Sequence, residues 1–370
     1  MFNRFKSASF LLSACSIVFS QAVQAVEENL AMSSTECLQD INFSAKFLLE
    51  NDAGIRAKNW AAYPENIQKI LDTQKRKMSS VQTVKDCKEI AEPFLHSIRK
   101  GHLYLQDFTY TESVQMNKEP DEKVTTKKLS DDTTYIFIPS FDLPIKTQLN
   151  KIIQTNQDNI TQASYLIIDA RKNKGGMDTS MHPVLTLLGE AEYWSEVPQI
   201  YSSSTTIQLW KELEKTIPDA DAKKWINQIN QRMSQHPNDW VSMMENKEIS
   251  EKIAKADVKS TPKKVVVMID EPCGSSCEEF VKMVKQNSKV VTIGRTTYGI
   301  LDASNLRDIK LPSKKIALSY ATSYVHRRPG QEIDNIGIPP SIRLPKPNNP
   351  QEYDDEVKYA QDYLEQEKWK

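Results

Sequence analysis

Residues 263–285 read KKVVVMIDEPCGSSCEEFVKMVK, and they decide the architecture. Val265, Val266, Val267, Met268 and Ile269 form an unbroken apolar run rich in β-branched residues, the pattern of a strand covered on both faces. Asp270, Pro272 and Gly274 break the chain, after which Cys277, Phe280, Val281 and Val284 recur at helical spacing. Three further runs share that texture: TYIFIPSF (134–141), SYLIIDA (164–170) and KVVTIG (289–294), separated by helical stretches. Strands alternating with helices imply βαβ crossovers and a largely parallel sheet, so the expected fold class is α/β.

Outward from this core the pattern from Thr35 to Arg99 is helical: CLQDINFSAKFLLEN, PENIQKILDTQKRKM and VKDCKEIAEPFLHSIRK space their apolar residues as helices and predict a helical lobe. After Gly101 the stretch HLYLQDFTY alternates like a half-buried strand, and NKEPDEKVTTKKLSDD reads as a loop or hairpin. An insertion at about 193–260 has helical patterning, including TTIQLWKELEKTI and DAKKWINQINQRM, and is expected to roof the site. Tyr353 to Lys370 reads as one amphipathic surface helix. The division is therefore 1–25, a signal peptide; 26–101, the lobe; 102–345, the αβ core; and 346–370, the C-terminal helix.

The signal peptide rests on the basic head MFNRFK, an apolar stretch too short to span a bilayer, and QAVQA with cleavage after Ala25. Leu12-Ser13-Ala14-Cys15 offers a competing lipoprotein reading, with a lipid anchor at Cys15. Either way the expected site of action is periplasmic or secreted, without a transmembrane helix. Losing Arg4 and Lys6 moves the formal charge from −1 to −3, without long single-sign blocks, so no nucleic-acid partner is expected. Of the remaining cysteines, Cys37 with Cys87 is the favoured disulfide, with buried thiols as the alternative; a bridge between Cys273 and Cys277 would constrain the turn between them. No metal, nucleotide or flavin motif occurs, so no cofactor is expected.

A serine where a buried strand turns into a helix is aimed out of the sheet, beside backbone N–H groups able to hold a developing negative charge. Ser276 is the candidate nucleophile on that ground, with Cys277 as an oxyanion donor; helix capping by Ser275 or Ser276 is the commoner alternative. The lipase pattern G-x-S-x-G is absent. In IIDARKNKGG (167–176), Gly175 and Gly176 allow close backbone approach and are candidates for the second donor. His102, released by Gly101 in SIRKGHLYL, is the best placed of five histidines to act as a base. RPGQEIDNIGIPP (328–340) holds Glu332 and Asp334, either of which is a candidate carboxylate to orient it, with a solvated turn as the alternative.

These pieces, in this order, resemble the S41 serine peptidases, which include C-terminal processing and tricorn core proteases. The D-x-R-x-N-x-G-G signature appears as Asp169, Arg171, Asn173, Gly175 and Gly176, and the nucleophile segment as Ser276-Cys277-Glu278-Glu279. Gly294, Thr297 and Gly299 fit G-x-x-T-x-G, and Pro329, Gly330, Asp334, Gly337, Ile338 and Pro340 or Pro339 fit the terminal motif. The resemblance implies a crotonase-like (ClpP/crotonase-type) core and a peptide or protein substrate. The processing branch carries a Lys where this chain has Ile300, and a PDZ domain for which the roughly 30 residues between His102 and Tyr135 leave no room. A His and a late acid, as in the tricorn-like branch, resemble His102 and Asp334. A serine esterase, or a non-catalytic binding protein on the same fold, are the alternatives.

Overall fold

The computed structural model describes residues 30–58, 68–69, 72–73, 77–107, 122–189, 193–217, 220–244, 249–251 and 262–366. The expected signal peptide, Cys15 and most of 64–78 lie outside the described residues. In chain order the elements begin with α1 (Ser34–Asn51), α2 (Ala53–Ala57), α3 (Val84–Ile98), β1 (Tyr104–Asp107), β2 (Thr125–Lys128) and β3 (Thr133–Phe137). Helices α4 (Leu143–Thr155) and α5 (Gln157–Gln162), strand β4 (Tyr165–Asp169), helix α6 (His182–Leu187) and strands β5 (Tyr193–Glu196) and β6 (Gln199–Tyr201) follow. Then come α7 (Ser204–Thr216), α8 (Ala220–Gln235), β7 (Trp240–Ser242), β8 (Ile249–Glu251), β9 (Lys264–Ile269) and α9 (Ser276–Val284). The chain closes with β10 (Val290–Gly294), β11 (Ala303–Lys310), β12 (Ile316–Tyr324), β13 (Ile342–Arg343) and α10 (Pro350–Glu365).

The four apolar runs become β3, β4, β9 and β10, adjacent and parallel in a sheet ordered β13-β10-β9-β4-β3-β2, with β2 antiparallel at its edge. Their unbroken apolarity has a direct cause. Leu166, Ile168, Val265 and Val267 pack on the face covered by α4, α6 and α9, while Ile167, Val266 and Met268 pack beneath Ala360 and Leu364 of α10. Alternate side chains thus enter two different cores, and neither face meets water.

A second sheet was not legible in the sequence. It runs β1-β12-β6-β7, with β11 also paired to β12. Strand β12, IALSYATSY, is buried throughout despite carrying Ser319, Thr322 and Ser323 among its aliphatic and aromatic residues. Its neighbour β11 supplies the partners: Ser319 donates to Asp308, Thr322 Oγ1 to Asn305 O at 2.6 Å, and Ser323 pairs with Ser304 at 3.0 Å. Buried polar groups satisfied across strands carry no periodic signature. The insertion at 193–260 likewise differs from the expectation: α7 and α8 form as read, but β6 and β7 join this sheet and β5 pairs with β8.

The helical lobe docks on the second sheet. Capping boxes at Ser33/Glu36 and Thr83/Asp86 start α1 and α3, and the Cys37–Cys87 disulfide ties the two helices together. Ile41, Leu48, Phe94 and Leu95 share one core with Leu103, Leu318 and Tyr320. The sheet's first strand therefore leaves the lobe at a fixed point, and that point is Gly101-His102.

Candidate active site

Beyond β9, Cys273 N–H donates to Asp270 O at 2.9 Å, and a disulfide joins Cys273 to Cys277 across Gly274, Ser275 and Ser276. Ser275, the residue before α9, sits at φ 55° and ψ −124°. An L-residue other than glycine rarely holds that conformation, which typically costs on the order of 1–3 kcal/mol and clusters at functional turns. Ser276, the expected nucleophile, is 4% exposed, and its Oγ donates to Gly176 O at 2.8 Å.

The opposing turn carries the Gly175-Gly176 pair. A Cβ on Gly175 would lie 2.6 Å from Gly274 O, 2.9 Å from Ser275 Cβ and 3.1 Å from Ser276 N, so the two turns touch and only glycine fits between them. Two of the three expected oxyanion donors are already engaged. Gly175 N–H donates to Asn173 Oδ1 at 2.9 Å, and Cys277 N–H closes the first helical turn onto Gly274 O at 3.0 Å. The N–H groups of Gly176 and Ser276 make no hydrogen bond among the described residues. Asn173 also donates to Ile138 O at 3.2 Å, anchoring the glycine turn to the end of β3.

Asp169 and Arg171 lie in a buried ion network. Arg171 spans Asp169 (2.6 Å) and Glu356 of α10 (2.8 Å), and Arg295 joins Glu356 (2.8 Å) to Asp270 (2.8 Å). Tyr135 donates to Asp169 at 2.8 Å, and the Arg171 guanidinium stacks 3.7 Å from the Tyr353 ring centre. The network clamps the C-terminal ends of β4, β9 and β10 to α10, fixing the origins of both turns.

His102 has φ 56°, and its Nδ1 lies 2.6 Å from Ala303 O. With Nδ1–H donating to that carbonyl, Nε2 is left as the acceptor. Desolvation holds the imidazole pKa down at about 4, with Arg99 adding to the effect. Arg99 is itself fixed by two 2.7 Å bonds to the buried Asp52 and donates to His102 O at 2.8 Å. Asp334, the expected orienting carboxylate, makes no hydrogen bond to the imidazole among the described residues. Its carboxylate accepts the N–H groups of Asp302 (2.7 Å) and Ala303 (3.2 Å), so it fixes the residue whose carbonyl holds His102. Burial, reinforced by the neighbouring Asp302, raises the Asp334 pKa to about 6.

Asp302 is fully buried and was not singled out by its sequence context. It accepts from Arg327 Nε and from the N–H groups of Ile333 (2.8 Å) and Asp334 (2.9 Å). The side chain of Ile300 separates the histidine and serine turns. A Cβ on Gly101 would meet its Cγ2 at 2.5 Å, and one on Gly274 its Cδ1 at 2.9 Å. Ser275 stands one residue before α9, at the strand-to-helix turn itself.

A mixed α/β fold with a serine at such a junction, facing a glycine turn, is the architecture of a serine-type peptidase. The model of peptidase family S41 matches residues 132–344, and the chain belongs to that family. The fold is similar to mature CPAF complexed with lactacystin, at TM-score 0.61 and 13% identity over 90% of this chain and 98% of that one. Mature CPAF alone gives 0.57 at 12% identity over 90% and 96%, and a presumptive peptidase from Parabacteroides merdae gives 0.53 at 14% over 88% and 93%. No curated protein sequence matches significantly. Among the described residues no helix is long and apolar enough to cross a membrane.

Proposed function

We propose that the protein is an exported serine peptidase in which Ser275, rather than Ser276, is the nucleophile and His102 the base. The observation that carries this reading is the strained backbone of Ser275 beside two unengaged N–H groups, those of Ser276 and Gly176. Assigning the nucleophile to Ser276 would leave its hydroxyl committed to Gly176 O and the following N–H, that of Cys277, committed to Gly274 O. Moving the assignment by one residue leaves the following N–H unengaged, as an oxyanion donor requires.

In the proposed reaction His102 Nε2 takes the Ser275 proton as Oγ bonds to the substrate carbonyl carbon, and the carbonyl oxygen, now negative, sits between Ser276 N–H and Gly176 N–H. The imidazolium returns its proton to the leaving amine as the C–N bond breaks. Water then repeats the sequence on the acyl-enzyme. Asp334 acts as a positioning residue through Ala303. Export rests on the first 25 residues of the sequence.

Fluorophosphonate labelling of the mature protein with peptide mapping tests the reading. Label on Ser275 that disappears in His102→Ala supports it. Label on Ser276, or none on folded protein, sinks it.

A further inference from the structure

Glu278 lies in the first turn of α9, where an acidic residue is favoured by the helix dipole alone, yet it is fully buried. Every hydrogen bond it accepts points at the site. Oε1 accepts from Thr297 Oγ1 at 2.6 Å and Gly299 N at 2.7 Å, and Oε2 accepts from Ile300 N at 2.8 Å and Ser275 N at 3.2 Å. A single carboxylate thereby ties the strained serine to the loop after β10.

That loop carries Ile300, whose side chain fills the space between Gly101, next to His102, and Gly274, next to Ser275. Moving the Ile300 backbone would alter the separation of the two turns. Gly299, at φ 88°, is held on its other side, since Asn335 N–H donates to its carbonyl at 2.8 Å. The loop is therefore a strut set between the terminal segment that holds Asp334 and the serine turn.

Resting on the reading of Ser275 as nucleophile and His102 as base, we infer that Glu278 is a positioning residue that sets the geometry between them. It has two linked tasks. It holds Ser275 N–H in the strained turn, and through Ile300 it sets how far the histidine turn stands from the serine turn. A structural role alone would change how much protein is folded, but not the reactivity of each folded molecule. Misplacement of reacting groups by about 1 Å can cost on the order of a hundredfold in rate.

The test compares the fluorophosphonate labelling rate of Ser275, per folded molecule and as a function of pH, in wild type, Glu278→Gln and Thr297→Val. Glutamine presents one acceptor oxygen instead of two, so at least one pair of donors loses its partner. Glu278→Gln should slow labelling about 10- to 100-fold and move the pH midpoint of the rate, with faster amide exchange in peptides covering Ser275 and Ile300. Thr297→Val removes one of the four donors and keeps the carboxylate; a loss of about threefold or more is expected from it, and it serves as the deciding variant should Glu278→Gln not fold. A labelled wild type with unchanged rate and midpoint in the folded variants would overturn the role of Glu278 while leaving the nucleophile reading intact. An unlabelled wild type would instead overturn both.

Discussion

Replacing Ser275 with glycine should raise stability while abolishing reactivity, an opposition of sign that few other positions can show. The residue sits at φ 55° and ψ −124°, where a Cβ is strained and glycine is not. Relief of roughly 1–3 kcal/mol of strain, less about 0.5–1 kcal/mol for the freer unfolded chain, leaves a net gain on the order of 1 kcal/mol. For a chain of this length that corresponds to a rise in Tm of about 1–3 °C. Ser276→Ala should do the reverse. It loses the 2.8 Å bond to Gly176 O and with it about 1 kcal/mol, but keeps the Ser275 hydroxyl proposed to react and the backbone N–H of residue 276. Calorimetry and fluorophosphonate labelling of the two variants give a two-by-two outcome. Lower stability in Ser275→Gly, or labelling lost in Ser276→Ala but kept in Ser275→Gly, would refute the assignment.

Three further expectations concern pH, the disulfide beside the serine and the ion network. His102 is neutral above about pH 4, so the labelling profile should lack the limb near 6.5 that an ordinary histidine gives, and a limb near 6 should disappear in Asp334→Asn. Because the folded Asp334 pKa lies above its unfolded value, stability should also fall as pH rises from about 4 to 6, by up to about 3 kcal/mol; a flat urea-denaturation series would contradict this. The Cys273→Ala/Cys277→Ala double variant opens a bridge with a sequence separation of 4, worth about 2 kcal/mol by loop entropy, and should slow labelling; an unchanged rate would show that the elbow does not need the bridge. Glu356→Ala leaves Arg171 and Arg295 short of a buried partner and should cost about 3–5 kcal/mol, whereas breaking the exposed Lys358–Asp362 pair should cost under about 1 kcal/mol, both read by chemical denaturation.

The parallel core could be read from the sequence because its strands are buried on both faces: TYIFIPSF, SYLIIDA, KKVVVMID and KVVTIG need no partner sequence to be recognised. The glycine turn at 175–176, the histidine released by Gly101 and the serine turn before α9 were legible for a similar reason, since breaks between regular elements are written locally. Strand β12 was not, because the hydroxyls of Ser319, Thr322 and Ser323 are satisfied by residues on β11, and a cross-strand partner leaves no mark on the strand's own pattern. The choice between Ser275 and Ser276, the commitment of Gly175 and Cys277 N–H groups, and the indirect hold of Asp334 on His102 all depend on where individual N–H and C=O vectors point. Sequence determined which segments meet at the site; only the tertiary structure decided which donors and acceptors remain unengaged there, because hydrogen-bond satisfaction belongs to the whole packed chain and not to any one stretch of it.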